Sequence, residues 1–367
     1  MTSGEVFALV TGGGTGGHVT PALAIAEALV AAGHPRESIR FVGARRGLES
    51  TAVPEAGFAI ELLTLDGLQR SLAPRDLLRS VRSLVAFARA FRHCLRLLRR
   101  LRPRVVIGVG GYAAAPCVFA ARMLRVPTVV HEQNAVPGLV NRIAVRWGAR
   151  PAVSFPGSRW RRAVTTGNPV RAAVLEVVRT PQTPPLVAVV GGSQGAGQLN
   201  AVALDLYDRW RDRSDIAIRH VAGPKHEAGC AQRLTSLVAH GDTIAYELVA
   251  YEADMAGLYQ RAALMLCRAG ATTVAELNAV GIPALYVPWS GSAEGQQQAN
   301  AAAMVAVGAA VLVADSDCVV DTVEPIVQSL LNDPDRLAVM AAAARAHGRA
   351  DAAAQVVRLV EEVVGDS

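Results

Sequence analysis

Val10-Thr11-Gly12-Gly13-Gly14-Thr15-Gly16-Gly17-His18-Val19-Thr20-Pro21 follows an apolar run, 6–10, and leads into a helical pattern over 22–31. The order is strand, glycine turn, helix start. Glycine lets a backbone come close to a ligand, and the N–H groups at a helix start favour anions. His18 stands at the mouth of the turn, where a general base would meet a bound substrate. A plain phosphate loop has no need of that histidine.

Outward from this stretch, strand and helix patterns alternate. Strands read at 7–10, 39–42, 60–63, 105–109 and 128–131, with helices over 21–32, 75–101 and 114–124. The pattern lapses near 156–162. A second series opens with Leu186-Val187-Ala188-Val189-Val190 and the turn Gly191-Gly192-Ser193-Gln194-Gly195-Ala196-Gly197, followed by a helix over 198–211. Further strands read at 216–221, 243–249, 264–267, 284–287 and 310–313, and one or two helices close the chain over 335–364. Such alternation predicts an α/β fold of parallel sheets covered by helices on both faces. Two glycine turns roughly 180 residues apart predict two Rossmann-like domains, with ligands at the carboxyl ends of the strands and a cleft shared between the two.

Length and composition agree: 367 residues, 51% of them hydrophobic, suffice for two cores. No apolar run reaches the length of a spanning helix, and residues 1–5 lack a leader pattern, so a cytoplasmic location is expected. Five cysteines without a C-x-x-C pair support neither a disulfide framework nor a zinc site. The net charge of +6 is local: the segment 69–104 has eleven arginines against Asp76, or +10, and the rest of the chain sums to −4. Within 75–101, Leu77, Val81, Leu84, Ala88, Phe91, Leu95 and Leu98 share one helical face, while Arg75, Arg79, Arg82, Arg89, Arg92, Arg96 and Arg100 share another. An arginine near an anionic bilayer contributes about 1 kcal/mol, so this helix is expected to hold the protein at a membrane surface. Nucleic acid is not expected, since no aromatic platform accompanies the arginines.

Several stretches carry chemistry. Gly12-x-Gly14-x-x-Gly17 matches the dinucleotide fingerprint, and Arg45-Arg46 would suit a 2′-phosphate, so an NADP oxidoreductase is one reading. His131-Glu132-Gln133-Asn134 ends an apolar strand in polar groups that a ligand or a capped loop would satisfy. Gly110-Gly111-Tyr112 is another glycine turn at the same edge. Residues 191–197 suit a diphosphate, and Arg171, after Gly167-Asn168-Pro169, could pair with phosphate or form a surface salt bridge. Arg268-Ala269-Gly270-Ala271-Thr272-Thr273-Val274-Ala275-Glu276 again joins a strand to a helix, with Glu276 able to accept hydrogen bonds from ribose hydroxyls. Gln296 and Gln297 offer amides to sugar hydroxyls. The strings Asp315-Ser316-Asp317 and Asp333-Pro334-Asp335 read as turns and helix caps; no metal site is expected.

Together these motifs resemble the UDP-N-acetylglucosamine:lipid I N-acetylglucosaminyltransferases of bacterial peptidoglycan synthesis, the MurG family, over nearly the whole chain. The blocks 11–21, 110–112, 131–142, 167–171, 191–195 and 268–276 keep the family's order. The resemblance implies a GT-B fold and an inverting transfer of GlcNAc from UDP-GlcNAc to the 4-hydroxyl of MurNAc in lipid I, without metal or other cofactor. It implies an acceptor- and membrane-facing domain over 1–166, a UDP-GlcNAc-binding domain over 167–345, and a final helix over 346–367 packing back on the first. Ser193 and the backbone of Ala271, Thr272, Thr273 and Val274 would hold the diphosphate beside Arg171. Glu276 would bind ribose, and Gln296 and Gln297 the GlcNAc hydroxyls. Thr15, Gly16, Gly17 and Asn134 would close over donor sugar and acceptor diphosphate, with His18 the candidate base and Glu132 the second choice. The protein would lie peripherally on the cytoplasmic face of the cell membrane through helix 75–101. Two departures stand out: residues 289–295 lack the histidine and basic character common in that loop, and Glu252 replaces an apolar residue near the uracil site. Rival readings are the NADP oxidoreductase, a basic membrane or nucleic-acid adaptor, and a related glycosyltransferase acting on another glycolipid or natural product.

Overall fold

The computed structural model describes residues 5–14, 16–64, 74–192 and 195–366, with side chains in the helix that begins at residue 74 described from residue 83. The chain forms two units, Met1–Val170 with Asp351–Ser367, and Arg171–Ala350.

The first unit alternates β1 (Ala8–Thr11), α1 (Gly16–Ala31), β2 (Ile39–Ala44), α2 (Glu49–Glu55), β3 (Ala59–Leu63), α3 (Pro74–Leu101), β4 (Val105–Gly108), α4 (Ala115–Met123), β5 (Thr128–Glu132), α5 (Leu139–Arg146), β6 (Arg150–Val153) and β7 (Val164–Thr165). Its sheet is parallel in the order β3-β2-β1-β4-β5-β6-β7, so the strand order reverses between β1 and β4. Successive strand residues face opposite layers. Leu9, Val42 and Val106 pack with Cys94 and Leu98 of α3 and Cys117 and Ala121 of α4. Val10, Phe41 and Ile107 pack on the other face with Ile25 and Leu29 of α1. The C-terminal helix, Ala352–Gly365, joins that second face through Val356, Leu359 and Val360. Arg150 pairs with its Glu362 at 2.8 Å.

The second unit contains α6 (Ala172–Leu175), β8 (Leu186–Val190), α7 (Gly197–Trp210), β9 (Ala217–Val221), α8 (Glu227–Leu237), β10 (Ala245–Val249), α9 (Met255–Arg261), β11 (Ala262–Cys267), α10 (Ala271–Val280), β12 (Ala284–Tyr286), α11 (Gln296–Ala306), β13 (Ala310–Leu312), α12 (Val320–Leu331) and α13 (Pro334–His347). Its parallel order, β10-β9-β8-β11-β12-β13, reverses between β8 and β11. Both units are therefore Rossmann-like, each with a glycine turn following the strand beside its switch point, where ligands of such sheets bind.

The arginine-rich helix departs from expectation in one respect. Ala90, Cys94, Leu97 and Leu98 enter the core, but Leu84 is 67% exposed and Val85 44%. The apolar stripe is thus core only in its C-terminal half; Leu77 and Val81 lie outside the described side chains. The cause is length. Its 28 residues span about 42 Å, whereas a sheet of four- to six-residue strands is about 20 Å deep. The helix overhangs the sheet.

Candidate active site

In the first unit the site lies at the carboxyl ends of β1, β4 and β5. His18 is in the first turn of α1, half-buried. Its ring rests against the turn after β4: a Cβ on Gly110 would sit 3.3 Å from His18 Cδ2, and one on Gly111 3.5 Å from Nδ1. Both glycines have positive φ, +85° and +76°, so this close approach needs glycine twice over. The same Gly110 position lies 3.5 Å from Asn141 Nδ2, which brings α5 to the ring. Burial lowers the His18 imidazole below its ordinary value, and the Glu49 carboxylate pulls in the opposite direction. Neutral imidazole is the form a base requires.

Glu132 ends β5 and is 2% exposed. Its carboxylate accepts from the Asn134 N–H at 3.0 Å, Asn134 Nδ2 at 3.2 Å, the Gly138 N–H at 3.0 Å and Asn141 Nδ2 at 2.9 Å. Burial raises its pKa, and these hydrogen bonds counter part of that rise. Four donors converging on one carboxylate fix the loop that presents Asn134. His131 and Gln133 brace the same loop: His131 Nε2 donates to the Gly167 carbonyl at 2.9 Å, and Gln133 Nε2 donates to the Val109 carbonyl at 2.8 Å. Gly16 and Gly17 open α1. Thr15, expected beside them, lies outside the described residues.

In the second unit the glycine turn after β8 is tight: a Cβ on Gly195 would lie 2.3 Å from the Ala222 carbonyl oxygen. Ser193, with Gln194, lies outside the described residues. Ala271, Thr272, Thr273 and Val274 form the first turn of α10, whose N-cap residue, Gly270, has no side chain with which to cap it. N–H groups at a helix start suit an anion. Glu276, one turn on, is buried and accepts from Arg171 Nε at 3.0 Å and from the Tyr259 hydroxyl at 2.8 Å. Arg171 and Glu276 are thus brought into direct contact.

Glu252 turns its carboxylate onto its own surroundings. Arg219 Nε and Nη2 reach Oε2 at 2.9 and 2.7 Å, and the Asp254 N–H donates to Oε1 at 3.1 Å. Gln296 and Gln297 open α11 and are half-buried; Gln297 Oε1 accepts from the Trp289 N–H at 2.9 Å. Asn300 Nδ2 donates to the Ala269 carbonyl at 3.1 Å and ties α11 to the start of α10. Asp315 begins a short turn and accepts from Arg268 Nη1 at 2.6 Å and from the Ser290 N–H and hydroxyl at 3.0 and 2.7 Å. Asp333 caps α13 through the Arg336 N–H at 2.9 Å. Among the described residues no three His, Cys, Asp or Glu side chains converge as a metal site.

Sequence reasoning assigned no role to Asn141, which lies within the block 131–142, and did not single out Tyr259, Arg219 or Glu49. Only Glu49 left a usable signal, the glycines at 43 and 47 just before it.

Known proteins bear on this geometry. The models of the Glycosyltransferase family 28 N-terminal and C-terminal domains match residues 8–153 and 186–356. The UDP-N-acetylglucosamine--N-acetylmuramyl-(pentapeptide) pyrophosphoryl-undecaprenol N-acetylglucosamine transferase of Alkalilimnicola ehrlichii is 42% identical over 96% of this chain and 98% of its own length. The transferase of that name from Syntrophotalea carbinolica is 37% identical over 97% and 99%. The crystal structure of Acinetobacter baumannii MurG superposes with a TM-score of 0.72 at 28% identity, covering 97% of this chain and 99% of that one. The fold class is that of GT-B glycosyltransferases, and the chain is a hexosyltransferase that belongs to glycosyltransferase family 28 and, within it, to the MurG family.

Proposed function

We propose that this enzyme transfers GlcNAc from UDP-GlcNAc to the 4-hydroxyl of MurNAc in undecaprenyl-diphosphate-linked lipid I, forming lipid II for peptidoglycan, with inversion and without a metal. The observation that carries the reading is full-length identity of 37–42% to transferases bearing that name.

In the step, the acceptor O4 attacks the anomeric carbon from the face opposite UDP. The new C–O bond forms as the bond to the β-phosphate oxygen breaks, and UDP leaves with that electron pair. The O4 proton passes to His18. Support for His18 comes from its half-buried, neutral-favouring position against Gly110 and Gly111. Glu132 is better suited to organising the loop, because four donors already hold its carboxylate. The departing diphosphate meets Ser193, the backbone of Ala271–Val274 at the start of α10 and the Arg171 guanidinium, an arrangement of dipoles and charge that stabilises an anion. Glu276 accepts from ribose, Gln296 and Gln297 read the GlcNAc hydroxyls, and the backbone at Glu252 meets uracil. Thr15, Gly16, Gly17 and Asn134 close on donor sugar and acceptor diphosphate.

The lipid tail of the acceptor requires a membrane, and the reading places the protein peripherally on its cytoplasmic face. Among the described residues no helix is long and apolar enough to cross a bilayer. Support for surface attachment comes from the overhanging α3. Arg89, Arg92, Arg96, Arg99 and Arg100 are exposed. Beside them lies an open apolar hollow of about 430 Å³ lined by Phe87, Phe91, Phe119, Arg122, Met123 and Trp147. Met123 is 67% and Trp147 54% exposed, a pairing of aromatic and cationic groups that suits an anionic bilayer.

The test is transfer of radiolabelled GlcNAc from UDP-GlcNAc to a lipid I analogue in EDTA, parent beside His18→Ala. The expected result is transfer by the parent and loss of about 10²–10⁴-fold in kcat in the variant, with UDP affinity kept. No transfer by a folded, UDP-binding parent overturns the donor–acceptor assignment.

A further inference from the structure

Glu49 opens α2 and is 2% exposed, at the back of the glycine turn that carries His18. Its carboxylate bridges two segments of backbone: Oε2 accepts from the Gly14 N–H at 2.9 Å, and Oε1 from the Ala44 N–H at 2.8 Å. Three glycines make room for it. A Cβ on Gly13 would lie 2.0 Å from Glu49 Oε1, one on Gly43 2.4 Å from its Cγ, and one on Gly47 2.1 Å from Oε2. Turn, strand end and loop are therefore shaped around one buried carboxylate. From Gly13 the contact runs on to the ring, because a Cβ on Gly111, whose backbone walls His18, would sit 2.8 Å from the Gly13 carbonyl oxygen. An internal anion that takes a turn N–H also argues against a dinucleotide diphosphate in this turn.

We infer that Glu49 is a positioning residue for the transfer reaction, setting the glycine turn against Gly111 and acting through space as the anionic partner of the His18 imidazole. The inference rests on the assignment of His18 as base. Among the described residues, the Glu49 carboxylate on α2 acts electrostatically on the ring; Gly110 and Gly111 after β4 and Asn141 on α5 are neutral; Glu132 stands behind Asn141, bonded to its amide; and Arg45 and Arg46 are exposed on the loop before α2. A fixed carboxylate near an imidazole stabilises the imidazolium that forms as the proton arrives, and it favours the protonated form of the free enzyme for the same reason.

The experiment measures pH–rate profiles of GlcNAc transfer to a lipid I analogue for the parent, Glu49→Gln, Glu49→Asp and His18→Ala, with UDP affinity and thermal unfolding of each. In Glu49→Gln we expect kcat to fall about tenfold to a hundredfold at near-parental UDP affinity, and the acid limb to move to lower pH. Glu49→Asp keeps the charge but is too short to bridge both N–H groups, so kcat falls and the limb stays nearer the parental position. A purely structural role would leave the limb in place. A folded Glu49→Gln with parental kcat and an unmoved limb, beside an inactive His18→Ala, overturns the inference alone. Parental transfer by His18→Ala overturns the base assignment and the inference with it. Should Glu49→Gln fail to fold, Glu49→Asp decides: parental kcat overturns the inference, and a reduced kcat at parental UDP affinity supports it.

Discussion

The guanidinium of Arg171 is clamped on the Glu276 carboxylate, with Nε and Nη2 reaching the same oxygen, Oε1, at 3.0 and 2.9 Å. Tyr259 occupies the other oxygen at 2.8 Å. A carboxylate has about four lone-pair sites, so the three contacts leave room for one ribose hydroxyl and not two. Arg171 is 45% exposed at its side chain and Glu276 5%, so the arginine is the partner able to move. Donor binding is expected to draw Arg171 toward diphosphate and free Glu276 for ribose. Arg171→Ala and Glu276→Gln should each weaken UDP binding about tenfold. Their double mutant should lose less than the product of the two, with a coupling of roughly 0.5–3 kcal/mol. Titration calorimetry of UDP on the four proteins checks this, and strict additivity would contradict it.

Two buried histidines link stability to pH. Burial lowers His131 and His220 to about 4. His220 is held neutral between Asn200 Oδ1 at 3.0 Å and the Tyr246 hydroxyl at 2.8 Å. The unfolded chain protonates both near 6.5, so between about 6.5 and 4 it binds more protons than the folded chain. Stability should therefore fall as pH is lowered through that window, by up to roughly 3 kcal/mol per histidine at its lower end. Glu132, raised by burial, acts with the opposite sign in the lower part of the window. The comparison that isolates His220 is urea unfolding of parent and His220→Gln at about pH 7 and about pH 5. The variant should show the shallower dependence, and equal slopes would refute the assignment.

Strand–turn–helix order was legible because buried parallel strands are unbroken apolar runs, and each switch point announces itself with glycine. Several of the elements that escaped notice are short or interrupted. β7 has two residues, β6 carries Pro151, and α2 contains Pro54 in seven residues. Residue types at the site were legible, but their pairing was not. Arg171 and Glu276 stand 105 positions apart, and nothing local marks them as partners. Glu49 was legible only indirectly, through the glycines at 43 and 47, since the Gly14 and Ala44 N–H groups that it bridges leave no side-chain signature. The amphipathic stripe of α3 gave the helix its face but not its overhang, which depends on the depth of the sheet beneath it.

The exposed arginines of α3 should make vesicle binding electrostatic. Each cation near an anionic surface contributes about 1 kcal/mol, so Arg92→Glu with Arg96→Glu should weaken binding to phosphatidylglycerol-containing vesicles by at least about 30-fold. Affinity of the parent should fall steeply with added salt. Trp147→Ser should weaken binding to neutral and anionic vesicles alike, because it removes apolar contact rather than charge. Sedimentation with vesicles of both kinds separates the two effects. Unchanged binding by the double arginine variant would remove α3 from the attachment surface.

Asp315 fastens the loop that departs most from the family pattern. The Ser290 N–H and hydroxyl both donate to its Oδ2, at 3.0 and 2.7 Å, and Arg268 donates to Oδ1 at 2.6 Å. Burial alone would raise the Asp315 carboxyl, but the Ser290 and Arg268 contacts outweigh it and hold the group below its ordinary value. Arg268 also donates to the Val287 carbonyl at 3.0 Å, so the strap binds both ends of the turn from β12 into the loop. Further along, the Trp289 N–H donates to Gln297, one of the amides assigned to the donor sugar. Fixing Ser290 therefore fixes Trp289 and, through it, the orientation of the Gln297 amide. Asp315→Asn keeps the size of the side chain but exchanges an acceptor for a donor facing Ser290 or Arg268. Loosening of this strap should lower kcat/KM for UDP-GlcNAc more than for UDP-GalNAc, narrowing the preference between them by about tenfold. UDP alone should bind within about twofold of the parent, since it lacks the sugar that the loop reads. Competition between the two donors measures the preference directly, and an unchanged ratio would show that Gln297 is oriented without Asp315.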